Sequence, residues 1–226
     1  KQGWLDAGYS TVPHNPLQYQ MPVAVPTKHR QLWVWVLPGL CQLTPADVMR
    51  GEETQIAGVL CQHKEFSGVL CLPGTHSKWA LCQAGEVASF STFMTGELFD
   101  LLSKQSVLRH SVIDDQWSDD AFKQGVQDAI NNPAQLTSEL FSVRARDILG
   151  NGATHFGKAR LSGLLIGSEL EGTREWWQGK KVILLGDSLL QSLYKLAMEQ
   201  VNIDVVLLDG TQMTLAGLTA AYEQQG

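Results

Sequence analysis

The chain has 226 residues, 44% of them hydrophobic, enough for one large core or two modest ones. Its net charge of -6 and isoelectric point near 5.5 exclude nucleic acid as the main partner, because phosphate contacts need a basic stripe and none is present. No apolar run approaches the roughly 20 residues that span a bilayer, and the start KQGWLDAGYS lacks the layout of a signal peptide, so no membrane partner and a cytoplasmic setting are expected.

In chain order, residues 1 to 31 carry Pro13, Pro16, Pro22 and Pro26 with little periodicity and read as extended loop. Leu32 to Leu37 is expected to be a short buried strand stopped by Pro38 and Gly39. Thr44-Pro45-Ala46-Asp47 offers an N-cap followed by proline at the first helical position, with Gly51 as an alternative start; the helix is expected over Met49 to Leu60. Residues 67 to 94 read as a three-stranded antiparallel meander with a turn at Ala84-Gly85. Thr95-Gly96 opens a helix, and further helices are expected at 119 to 131, 134 to 149 and 160 to 178. KKVILLGD and NIDVVLLD are expected to be buried strands joined by a helix, a unit that favours a parallel pair, with a last helix from Thr214 to Gln224. The four cysteines, Cys41, Cys61, Cys71 and Cys82, form no C-x-x-C pair or zinc spacing and read as reduced, buried thiols.

Several of these segments carry residues suited to chemistry. In LPGTHSKW, Gly74 lets the backbone approach a ligand, and Thr75, Ser77 and Lys78 can offer hydrogen bonds and charge to a phosphate. An ordinary hairpin turn with polar tips accounts for the same residues equally well. In MRGEETQ, Glu52 and Glu53 fall on or beside the apolar stripe of Met49, Ile56 and Leu60, where a carboxylate must be paired or act as a general base. Acids in a first helical turn, stabilised by the helix dipole, are the plain alternative. By the same argument Glu97 and Thr95 read as first-turn acid and N-cap. His76 reads as a base, a substrate ligand or a simple hydrogen-bond partner, and Arg144 with Arg146 as a solvated pair. VILLGDSLLQSLY places Gly186, Asp187 and Ser188 in a turn between strand and helix, where open α/β sheets bind nucleotides.

QGW, LPGL, MRGEETQ, LPGTHSKW, TFMTGELF, NNPA, VRARDILG and SGLLIGSEL, in this order, resemble the 2-dehydro-3-deoxygalactonokinases over nearly the whole chain. The resemblance implies an α/β, two-lobed actin-like ATPase (ribonuclease H-like) fold with a mixed sheet in each lobe. Residues 1–66 would be the remainder of an incomplete first lobe with the inter-lobe helix, and 67–226 the second, nucleotide-binding lobe. It implies transfer of the γ-phosphoryl group of ATP, with Mg2+, to the 6-hydroxyl of 2-dehydro-3-deoxy-D-galactonate in galactonate breakdown. Gly74, Thr75, Ser77 and Lys78 would face the ATP phosphates, and Gly186, Asp187 and Ser188 the adenosine side. Glu53 would be the catalytic base, with Glu52 its rival. Arg50 would grip the substrate carboxylate, and Gln2, Trp4, His76 and Glu97 would be further substrate contacts. Sugar acid and ATP are the expected partners; a homo-oligomer is compatible with the sequence. The Asp-x-Gly-Thr-Thr turn that opens the family does not occur, and a start at Lys-Gln-Gly-Trp reads like the middle of a domain. A non-catalytic ligand-binding relative or fragment, and a polyphosphate phosphatase of the same superfamily, are the alternatives.

Overall fold

The computed structural model of the chain describes residues 5–18, 22–28, 31–112, 117–150 and 156–224. Strands β1 (Tyr9–Thr11), β2 (Val23–Val25), β3 (Val34–Val36), β4 (Gly39–Leu43) and β5 (Ala46–Met49) precede helix α1 (Glu52–Gln62). The meander β6 (Gly68–Leu72), β7 (Ser77–Gln83) and β8 (Glu86–Phe93) follows as expected. Next come α2 (Thr95–Lys104), α3 (Asp119–Asn131), α4 (Leu136–Leu149), α5 (Gly157–Gly172) and the single turn α6 (Arg174–Trp177). The order closes with β9 (Val182–Gly186), α7 (Ser188–Glu199), β10 (Val205–Asp209) and α8 (Gly210–Glu223).

The large sheet has the order β10-β9-β6-β7-β8: β10, β9 and β6 are parallel, β6, β7 and β8 antiparallel. A small mixed sheet, β1-β4-β5, lies against β8 through Asp47, whose carboxylate accepts from the Thr92 amide at 2.7 Å and the Thr92 hydroxyl at 2.6 Å. Period-two alternation gives the large sheet two apolar faces. Val69, Cys71, Trp79, Val182 and Leu184 pack under α3, α5 and α7, while Leu70, Leu72, Ala80, Ile183 and Leu185 pack under α1 and α8.

Glycines let these helices cross closely. A β-carbon on Gly58 of α1 would lie 2.0 Å from the Met213 carbonyl of α8, and one on Gly163 of α5 2.1 Å from the Phe122 carbonyl of α3. Arg160 ties α5 to α3 and α4, with Asp128 at 2.8 Å and Glu139 at 2.6 Å.

Several expectations need correction. The run Leu32 to Leu37 forms only β3, paired with β2 in a two-stranded ribbon; it is not a buried strand, and Trp33 remains 81% exposed. Such a ribbon is too narrow to be sandwiched between layers. Thr44-Pro45-Ala46-Asp47 starts no helix: it turns β4 into β5, because Asp47 is drawn to Thr92, and α1 waits for Gly51 with its φ of 107°. The region taken as loop contains β1 and β2. The helix expected over 160 to 178 breaks at Thr173, whose hydroxyl bonds back to the Glu169 and Leu170 carbonyls. The last helix starts earlier, at Gly210, because Asp209 accepts from the Gln212 amide as an N-cap. β10 is an edge strand, largely open rather than buried. Cys71 and Cys82 are buried, but Cys41 and Cys61 are only half-buried; all are free thiols. Arg144 is not simply solvated, since it bonds Asp147 and Ser111, whereas Arg146 is exposed.

Candidate active site

Three parallel strands end side by side at Leu72, Gly186 and Asp209, and the segments after them converge, as ligand-binding crevices of open α/β sheets do. A β-carbon on Gly210 would lie 3.5 Å from the Gly186 backbone, and one on Gly186 3.9 Å from the Pro73 ring. Asp187 caps α7, its Oδ1 accepting from the Leu189 and Leu190 amides at 3.0 Å, while Ser188 stays exposed at the helix start. The carboxylate expected on the adenosine side thus caps its own helix through one oxygen and is exposed.

The corner after β6 is built from both ends. Gly74 is open, a β-carbon there meeting only the His76 carbonyl at 3.9 Å. Gly96 is not: its β-carbon would lie 2.4 Å from the Gly74 carbonyl, so glycine alone lets α2 start against the corner. The Glu97 amide donates to the Thr75 carbonyl at 2.9 Å, and the His76 imidazole meets the Glu97 carboxylate at 2.5 Å. His76 and Glu97, both expected to touch substrate, thus pair with each other across the corner. Thr75 is exposed.

Alternation along β7 then divides the motif. Ser77 and Trp79 turn to one face, where Glu169 of α5 is 1% exposed and accepts from the Trp79 indole at 2.7 Å, the Tyr194 hydroxyl at 2.8 Å and the Thr95 hydroxyl. Ser77 Oγ lies 2.8 Å from the Tyr194 hydroxyl and is fully buried, so its side chain does not face the open corner as expected for a phosphate ligand. Nor is Thr95 a cap, since Met94 holds that position and the Thr95 hydroxyl reaches Glu169. Burial pushes the Glu169 carboxyl above its ordinary range, against the opposing effect of these donors.

Lys78 turns to the other face. Its buried ammonium lies 3.5 Å from Glu52 Oε1 at the amino end of α1. Glu52 Oε2 accepts from the Arg50 amide at 3.1 Å, and its side chain is 27% exposed. Glu53 is buried and folds back on its own helix start, both oxygens accepting from the Gly51 amide at 2.9 and 2.7 Å. Burial raises its carboxyl to about 7, the amides of Glu53 and Gly51 only partly offsetting it. Arg50, expected to grip a substrate carboxylate, already bonds Asp6 at 3.3 Å and the Gly8 carbonyl at 3.2 Å, and stacks on Tyr9 at 4.5 Å. Gln2 and Trp4 lie outside the described residues.

Beside the corner is an apolar cavity of about 390 Å³, lined by Gly74 and Gly96 together with Trp117, Ile166, Leu190 and Tyr194 among others. Its size and lining suit a flat heteroaromatic group. Neither this cavity nor Glu169 was foreseen from the sequence. The one available signal was an acid within the apolar run SGLLIGSEL.

Comparisons with known proteins identify the family. The family model for 2-keto-3-deoxy-galactonokinase matches residues 1–221. The "Probable 2-dehydro-3-deoxygalactonokinase DgoK1" of Rhizobium meliloti (strain 1021) is 39% identical over 228 residues, covering 98% of this chain and 74% of that protein. The 2-dehydro-3-deoxygalactonokinase of Escherichia coli (strain K12) is 35% identical over 188 residues, covering 82% of this chain but 63% of its own length, so the chain spans less than two thirds of that relative. A crystal structure from Sinorhizobium meliloti, provisionally assigned as a 2-dehydro-3-deoxygalactonokinase, superposes with a TM-score of 0.91 at 39% identity, covering 99% of this chain and 74% of the other. The chain belongs to the 2-keto-3-deoxy-galactonokinase family.

Proposed function

We propose that the chain acts as a sugar-acid kinase, moving the γ-phosphoryl group of ATP to the 6-hydroxyl of 2-dehydro-3-deoxy-D-galactonate. The observation that carries this reading is that Gly74 of the open corner lines the apolar cavity, while Lys78, at the start of the strand that leaves the same corner, meets Glu52 of α1. A nucleotide laid across the strand end would put its base in the cavity and its phosphates at Gly74 and Thr75. Phosphoryl transfer depends on positioning and on charge stabilisation, and Mg2+ bound with the nucleotide offsets phosphate charge. Lys78 adds a buried positive charge at the end of β6, opposite Leu72 in the ladder. No helix among the described residues is long and apolar enough to cross a membrane, and a cytoplasmic catabolic role fits this reading.

For the base, reach comes before proton affinity. Glu52 is partly open and faces Lys78, whereas Glu53 is sealed against Gly51, so we favour Glu52, the reverse of the order expected from the sequence. Ser77 would serve the corner only through its backbone. We also read residues 1–66 as belonging to one lobe and 67–226 to the other of a two-lobed actin-like ATPase. In this division α1 sits at the junction, its acids at the amino end and its apolar face on the large sheet.

The test is ADP release from MgATP with and without 2-dehydro-3-deoxygalactonate, using the gluconate epimer as control. Release that depends on the galactonate compound is the expected result. Nucleotide binding with no release under either condition would favour the non-catalytic ligand-binding alternative.

A further inference from the structure

Trp79, Tyr194 and Thr95, which hydrogen-bond to Glu169, are themselves buried, and groups from both sides of the corner converge on it. Ser77 and Trp79 come from the strand that leaves the corner. Thr95 comes from the start of α2, where Gly96 and Glu97 press on Gly74 and Thr75. Tyr194 comes from α7, where it also lines the apolar cavity. The bonding has a direction: the Tyr194 hydroxyl gives its proton to Glu169, so its oxygen must accept from Ser77. An apolar side chain of similar volume would fill this space without desolvating a carboxylate, so packing alone gives no reason for an acid here.

We infer that Glu169 is a positioning residue that fixes the spacing between the 73–78 corner, the start of α2 and the α7 wall of the cavity, so that the phosphates and base of one nucleotide are met together. The inference rests on reading that corner as a nucleotide phosphate site. Glu169→Gln disturbs it whichever way the amide turns. An amide nitrogen towards Trp79 opposes two donors, and one towards Thr95 and Tyr194 forces both hydroxyls to turn and reverses the Ser77 link.

The experiment compares MgADP binding by calorimetry with adenosine binding by saturation-transfer NMR. It uses the wild type, Glu169→Gln and the milder Ser77→Ala and Trp79→Phe, whose side chains belong to the Glu169 cluster but do not line the cavity, with thermal unfolding as the check that each folds. The expected result is MgADP affinity lowered about 10-fold or more, the effect of one lost charge-assisted hydrogen bond, with adenosine affinity unchanged. If Glu169→Gln does not fold, the Ser77 and Trp79 variants carry the same comparison. A parallel loss of both affinities would mark Glu169 as merely structural, and no change in either would mark it as idle; each overturns the inference while leaving the nucleotide reading intact. Failure of the folded wild type to bind MgADP would instead remove that reading, and the inference with it.

Discussion

At the amino end of α1 two adjacent acids sit in unlike surroundings. Glu52 keeps a partly open carboxylate beside Lys78, and Glu53 is buried with both oxygens on the Gly51 amide. Glu52→Gln is therefore expected to lower turnover by at least about 100-fold with little change in MgADP affinity, since loss of a general base removes that much. Glu53→Gln is expected to lower turnover far less. Steady-state kinetics of both variants decide the matter, and the opposite ranking would restore Glu53 as the base. Glu53 should also be visible in stability. Its carboxyl titrates near 7 in the fold against an ordinary 4.5, so the folded chain holds the proton more tightly than the unfolded one. Its contribution is then complete below the unfolded value and is lost as pH rises through about 7. The stability of Glu53→Gln relative to wild type should rise across this window by up to about 3 kcal/mol. Urea midpoints at acid and alkaline pH measure it; parallel profiles for the two proteins would count against the perturbed carboxyl.

At the scale of elements, the helical layers depend on close backbone approach. Gly58→Ala would drive a methyl group into the Met213 carbonyl, and Gly163→Ala one into that of Phe122. The obstacle is backbone rather than a flexible side-chain tip, so each should cost at least about 1–3 kcal/mol, the usual penalty of overpacking. Gly179→Ala, with open space around it but a φ of 70°, makes a comparison in which only backbone strain acts. Denaturant unfolding of the three variants separates crowding from strain. The meander, α3 and the β9-α7-β10 unit were legible in the sequence because their signals are local: period, breakers and caps. The turn at Thr44-Pro45 was not, because what decides it is a bond from Asp47 to Thr92, far along the chain. The ribbon at Trp33 and Trp35 was misread for a related reason: an apolar run indicates a strand but not what covers it.

For the molecule as a whole, local motifs located the corner, and tertiary packing decided what each of its side chains does. Gly74 and Lys78 were visible as candidates, but that Lys78 turns to Glu52 and Ser77 to Tyr194 depends on the helices packed over each face of the sheet. Glu169 was invisible as a site residue because its partners are spread from β7 to α7. The division of β7 between two faces has a consequence for how such a protein can change. Strand parity, and not only the identity of its residues, places these side chains: one residue inserted within the paired strand, between Lys78 and Trp79, would exchange the sides of Ser77 and Lys78 where the rest of β7 keeps its register. The ammonium group would then enter the chamber of the buried acid, and the small hydroxyl would face α1. A conservative replacement at any one of these positions perturbs one contact, whereas a shift in length by one scrambles both faces at once. Tolerance to insertion should therefore fall off sharply from the exposed turn at Thr75 and His76, which can take up added length, to the paired residues that follow it.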